Sequence, residues 1–425
     1  MKYALRHASG SGSFAKGIRR DGETAVPAIR SLNRDNRKER MHLERELLYQ
    51  NPLARQLAQL PEFMEDINRN LGFVYLMESL PMKEIMDARR ILITGCGDSY
   101  AAGIAMKPLL EEMLQMPVDV MRAVEFSRHL PSSCLEEGPG SPLVVLISVS
   151  GTVTRILEAA QRANLHGANT LAITASRSTP LAKECRRALE LNPPEVERAP
   201  GCGAYVACCH ALLALGIRMG RVRNSYVPAI EDVYRARAME YIRQFTPEVQ
   251  LPIARQMYAL AQQWKDMASF DFVGDGCTFA SALFSGWKFI EAAGSVVTFE
   301  DSENWLHENF FFLHPEAIGT ILWADQASPS FSRQCETAAA MQKTGRPLLV
   351  ITDAEPSLFG GAHVCRLPAC EDWRYHPMMQ HLPAVYLASY LAELKGTHYY
   401  REGDGDNWRP ADGIYPIRRS EVIVL

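Results

Sequence analysis

Between Gly276 and Val297 the only ionisable side chains apart from Cys277 are Lys288 and Glu291. They are set among Phe279, Leu283, Phe284, Trp287, Phe289 and Ile290, which is the composition of a helix meant to be mostly buried. A three-residue spacing puts both charges on one helical face, within reach of each other and of a third group brought by a later loop. His307 follows sixteen residues after Glu291. The chemistry such a set could do is proton transfer: desolvation would raise the pKa of the glutamate, and the neighbouring ammonium would restrain that rise. An ordinary intrahelical ion pair facing water fits the helix pattern equally well, so the rest of the chain has to separate the two readings.

Two turns offer an anion site. Gly95-Cys96-Gly97-Asp98-Ser99-Tyr100 stands where an apolar strand ends and a helix begins, and Ser148-Val149-Ser150-Gly151-Thr152-Val153-Thr154 stands in the same position after a later strand. Open parallel sheets bind ligands at such places. Glycines let the backbone approach an anion, and the free N–H groups of a helix start attract it. The second turn gathers four hydroxyls and a glycine without a Walker-type lysine; its plain alternative is a helix N-cap with spare hydroxyls. A dinucleotide fingerprint is not supported, because its third glycine would fall at Tyr100 and no acidic residue ends the second strand.

The elements that must position these groups come in two series. Residues 1–36 are basic and poor in apolar anchors, a solvated arm or a handle for an anionic partner. Residues 37–82 read as a helical lead-in. From 83 to 225 short apolar runs alternate with helical stretches: strands are expected at Arg90–Thr94, Pro117–Met121, Pro142–Ile147, Thr170–Thr174 and Ala188–Leu191. A helical connection covers 226–267, and the pattern then restarts over 268–394 with strands at Phe270–Val273, Ser295–Phe299, Ala317–Leu322 and Pro347–Thr352. Residues 395–425 form a C-terminal tail. Continuous apolar strands separated by helices predict an α/β protein with parallel sheets covered on both faces, and the shared order predicts an internal duplication.

The pairing of Gly95-Cys96-Gly97-Asp98-Ser99-Tyr100 with Ser148-x-Ser150-Gly151, followed by a second α/β unit, resembles the sugar isomerase (SIS) domain family. The closest likeness is to the double-SIS isomerase half of glucosamine-6-phosphate synthase and to fructosamine-type deglycases. The resemblance implies two tandem SIS domains at 83–225 and 268–394, each a flavodoxin-like three-layer α/β/α sandwich, with the tail over the active site. It further implies Glu291 as the base, His307 as the ring-opening acid/base, Lys288 as the partner of the enediolate oxygen, and Ser99, Ser148, Ser150, Gly151 and Thr152 around the sugar phosphate. A homodimer that lends the histidine across its interface is part of the same pattern. Neither a cofactor nor a metal is implied.

Departures bear on the activity. Val149 and Val153 replace a glutamine and a threonine of the synthase pattern, which would move phosphate contacts onto Thr152 or Thr154. His307 is followed by Glu308-Asn309 rather than Gly-Pro. Arg418 and Arg419 stand where the synthase has a Schiff-base lysine, and arginine forms no such imine. No cysteine follows Met1 and no glutaminase domain precedes the first unit, so glutamine-dependent amination is not expected. The expectation is an aldose–ketose isomerase or deglycase acting on a hexose or amino-sugar phosphate. A non-catalytic sugar-phosphate-binding regulator is the alternative; it would keep the hydroxyl turns but have no use for Lys288, Glu291 and His307 together.

Composition excludes other classes. With 47% hydrophobic and 22% charged residues and a net charge of -4, neither a nucleic-acid partner nor a membrane span is expected. Ten cysteines without zinc-type pairing read as buried thiols of a reducing cytoplasm. His314, His376, His381 and His398 show no partner pattern and read as structural, and Glu300, Asp301 and Glu303 as a solvated turn. Trp305 and Phe310 to Phe312, around His307, read as core or dimer contacts.

Overall fold

The computed structural model describes residues 46–136, 138, 141–227, 229–399 and 417–425; the expected arm at 1–36 and the tail between 400 and 416 lie outside them. Strands β1 (Arg90–Gly95), β2 (Val118–Arg122), β3 (Pro142–Ile147), β4 (Asn169–Thr174) and β5 (Arg187–Glu190) form one 5-stranded sheet in the order β2-β1-β3-β4-β5. Strands β6 (Ser269–Val273), β7 (Val297–Glu300), β8 (Ile318–Ala324), β9 (Leu348–Thr352) and β10 (His363–Arg366) form a second in the order β10-β9-β8-β6-β7. All pairings are parallel. Read from opposite edges the two orders are the same, and each reverses direction between its first and third strands, the place where such sheets bind ligands. The short edge strand β10 is an addition to the sequence reading.

Strand side chains alternate between two apolar environments. Ile91, Ile93, Val145 and Ile173 of the first sheet share one continuous core with Phe272, Ile321 and Leu349 of the second. The opposite faces have their own clusters, around Leu92, Val144 and Leu146 in one sheet and Leu322 and Val350 in the other. Helices therefore cover both faces of each sheet, and those between the sheets belong to both units. One of these, Gly203–Arg223, is long and apolar enough to cross a membrane by length and composition, contrary to the sequence expectation, but 83% of its apolar window is buried inside the protein.

The helix Thr278–Ala293 carries Lys288 and Glu291 and is closed by Gly294 in the left-handed region at φ 64. It packs against the Asp98–Leu114 helix of the first unit. Its seat on the second sheet depends on Gly286, where a Cβ atom would come within 2.3 Å of the Phe299 ring. Beside it, the buried Asp271 of β6 accepts from Trp305 Nε1 at 2.6 Å, Thr298 Oγ1 at 2.8 Å and Asn309 Nδ2 at 2.9 Å. This network fixes the segment that bears His307, and Trp305 belongs to the core.

Gly286→Ala is expected to destabilise the protein by about 1–3 kcal/mol, because the helix must lift from a packed aromatic floor. Urea unfolding checks this; an unchanged midpoint would mean that the helix is not seated through Gly286.

Candidate active site

Lys288 is the centre of the site. Its side chain is 1% exposed, and its Nζ donates to Glu291 Oε2 at 2.7 Å and to Asp98 Oδ2 at 2.9 Å. Asp98 opens the helix after β1, so the ammonium joins a carboxylate of the first unit to one on its own helix. It also stands 4.8 Å above the centre of the Phe284 ring, a cation–π contact in a dry setting. Burial pulls the Lys288 pKa down, but the two carboxylates outweigh it and hold the group charged well above its usual range. Burial pushes the Glu291 carboxyl up; Lys288 opposes that rise and Asp98 adds to it, leaving Glu291 above the ordinary carboxylate range.

Glu291 opens into a pocket of about 240 Å³ that it shares with Cys96, Asp98, Ser99, Ser148 and Ser150. A second pocket of the same volume, bordered by Gln56, Phe63 and Glu195, includes none of these groups. Ser148 Oγ accepts from Gly151 N at 3.2 Å, and Ser150 Oγ accepts from Thr152 Oγ1 at 3.2 Å. Each serine oxygen is thus held by the turn while its own hydrogen can still point at an anion. Gly151 adopts φ +61, and a Cβ there would meet Thr179 at 2.5 Å, so the turn closes only around glycine.

The sequence candidates divide accordingly. Ser99, Ser148, Ser150 and Glu291 share the pocket; Lys288 lies behind it; Gly151 and Thr152 shape the turn without lining it. The amide of Thr154, the other proposed contact, donates to Ile417 O at 2.8 Å. His307 does not line this pocket. It ends the Ser302–His307 helix with a side chain 69% exposed and its Nε2 3.1 Å from Glu303 Oε1. Asp98 went unremarked as a functional group in the sequence, although its place in the first helical turn beside Ser99 was a signal. All ten cysteines are unpaired, and Cys96 is exposed at the pocket rather than buried as expected.

The tail reaches this end of the first unit. Ile417 meets the start of the Thr154–Leu165 helix, and Ile423 N donates to Glu158 Oε2 at 2.7 Å farther along it. Arg162 Nε and His166 Nε2 then meet Leu425 O at 3.1 and 3.0 Å. The fully buried Glu158 carboxylate also pairs with Arg128 at 3.0 Å and Arg155 at 2.5 Å. Burial would raise its pKa, but the Arg128 hydrogen bond, the Ile423 amide and the Arg155 charge prevail and bring it from 4.5 down to about 2. Because the folded pKa is the lower one, its stabilisation is present above the unfolded value and is lost as pH falls through the folded one. It amounts to at most about 3 kcal/mol. Acidification from about pH 4.5 to about pH 2 should therefore release the tail, and Glu158→Gln should release it at neutral pH. Hydrogen exchange of the 417–425 amides reads this directly; protection unchanged in the variant would show that Glu158 does not hold the tail.

Comparison with known proteins agrees with this fold. Residues 84–218 match the SIS domain. Over 326 residues the chain is 30% identical to the glutamine–fructose-6-phosphate aminotransferase (isomerizing) of Halobacterium salinarum, covering 76% of this chain and 52% of that protein. It is 25% identical to aminotransferase (isomerizing) 2 of Homo sapiens over 326 residues, covering 74% and 45%. The chain thus spans about half the length of these curated relatives. Among solved structures, the C-terminal domain of glucosamine-fructose-6-phosphate aminotransferase from Francisella tularensis superposes with a TM-score of 0.70 at 18% identity, covering 83% of this chain and 98% of that one. Tagatose-6-phosphate ketose/aldose isomerase from Escherichia coli gives 0.65 at 13% identity, covering 84% and 96%. Strand order, ligand-end turns and these matches together identify a SIS domain at 84–218 within a chain that has the tandem SIS fold.

Proposed function

We propose that the protein is a sugar-phosphate isomerase or deglycase, acting on a hexose or amino-sugar phosphate through an enediolate. What carries the reading is the opening of Glu291 into the same pocket as Ser99, Ser148 and Ser150, backed by a buried ammonium. The serine hydroxyls, with the positive end of the following helix, grip the phosphate. Glu291, raised above the usual carboxylate range, takes the proton from the carbon next to the carbonyl and returns it to its neighbour. Lys288 spends two of its three N–H donors on Asp98 and Glu291 and, from behind the pocket lining, supplies the positive charge that stabilises the developing oxyanion. In a deglycase the same glutamate would shift the proton of a ketosamine phosphate to give the C1 imine, which water hydrolyses to an aldose phosphate and the free amine.

His307 acts from a second copy of the chain in a homodimer. Its exposure supports this, as do its neighbours Phe311 at 73% and Leu313 at 82% exposed, apolar surface that a partner would cover. A place in the cytoplasm suits a protein with ten unpaired thiols.

Hexose 6-phosphates and hexosamine 6-phosphates incubated in heavy water should gain deuterium next to the carbonyl, with the rate falling about 10²–10⁴-fold in Glu291→Gln. Exchange undiminished in that variant would remove Glu291 from its role; binding of a sugar phosphate without exchange in the wild type would favour a non-catalytic regulator. Mixed Glu291→Gln and His307→Asn chains, each inactive alone, should regain activity if the site is shared between protomers. Failure of mixed dimers to recover would place the histidine's action within its own chain.

A further inference from the structure

The second sheet gathers a different set of groups at its own ligand end. Asp325 directly follows β8 and Asp353 directly follows β9, and the neighbouring pair Ala324 and Thr352 are in register, so the two carboxylates leave the sheet side by side. His376, on the turn of helix Trp373–Met378, faces both: its Nδ1 is 2.9 Å from Asp325 Oδ1 and its Nε2 is 3.9 Å from Asp353 Oδ2. All three side chains are buried, and one ligand atom from each lies within 4.8 Å of the others.

The hydrogen bonding around the three groups is incomplete. His376, a residue 2% exposed, meets Asp325 through Nδ1 in an ion-pair contact, and its buried Nε2 has no hydrogen-bond partner, Asp353 Oδ2 lying 3.9 Å away. Asp353 is oriented by its other oxygen, which accepts from Gln326 N at 2.8 Å. With its amide nitrogen facing Asp325, Gln380 donates to both carboxylate oxygens at 3.1 and 3.2 Å and accepts from Ser281 Oγ at 2.8 Å. Ligands held from behind in this way are the usual surroundings of a protein metal. Charge points the same way. Among the described ion pairs no lysine or arginine meets Asp325 or Asp353, and a protonated histidine would balance only one of the two buried carboxylates. A divalent ion beside a neutral imidazole balances both.

We propose that Asp325, Asp353 and His376 bind a divalent first-row transition ion, zinc being the first candidate. One imidazole nitrogen with two carboxylates suits zinc or manganese better than calcium. The ion would tie the Trp373–Gln380 segment to the ends of β8 and β9. Through Gln380 and Ser281 it would also brace the helix that carries Lys288 and Glu291, two turns before the lysine. Its place is structural and separate from the pocket at the ligand end of the first sheet.

The test uses the full chain, stripped with a chelator, dialysed, and titrated with zinc chloride alone and then manganese chloride alone. Calorimetry should give about one equivalent per chain, and saturation should raise Tm by several degrees. His376→Gln and Asp353→Asn should each weaken binding about 100-fold or more, and Gln380→Leu, which removes the donors that orient Asp325 without removing a ligand, about 10–100-fold. A wild type whose Tm is moved by neither chelator nor added ion overturns the proposal without recourse to variants. So does stoichiometric binding that His376→Gln and Asp353→Asn leave unchanged.

Discussion

A buried ammonium between two carboxylates holds the two halves of this molecule in register. Removing Lys288 from water is costly, and it is tolerated because Asp98 and Glu291 both accept from it within 2.9 Å. Asp98 comes from the turn after β1 and Glu291 from the helix after β6, so the ion triad spans the boundary between the two α/β units. Local features that look unrelated serve this contact. Gly286 lets the helix settle on Phe299, and the Asp98–Leu114 helix lies against it from the other side.

The arrangement divides labour between the sheets. The first offers hydroxyls at its ligand end, held by their own turn. The second supplies the helix with the titrating groups, and its own ligand end is acidic instead of hydroxyl-rich. Residues 417–425 run along the Thr154–Leu165 helix, so residues distant in sequence border the Ser148 to Thr154 turn.

Much of this was legible in the sequence because the strands are buried on both faces and therefore read as unbroken apolar runs. β10 escaped because only Cys365 of its four residues is buried, which leaves no run to see. Lys288 and Glu291 were visible because two charges on an apolar helix need a reason. Asp98 was not, since its partner lies 190 positions away and only the packing of two helices brings them together. The same applies to His376: Asp372 stands four residues before it in the chain, but Asp325 and Asp353, set side by side by strand register, meet it only through the packing of its turn against the strand ends. The spacing of His307 from Glu291 could not say which way its side chain would face; the Asp271 network anchors Trp305 and Asn309 on either side of it, and its own side chain is left 69% exposed.

The central claim is that Lys288 sets the proton affinity of Glu291, and a carbon-13 NMR titration of the Glu291 carboxyl in wild type and Lys288→Met measures it most directly. The account predicts a midpoint above the ordinary glutamate value of about 4.3 in the wild type and a higher one in the variant, where burial and Asp98 act unopposed. An ordinary midpoint unmoved by the substitution would contradict it.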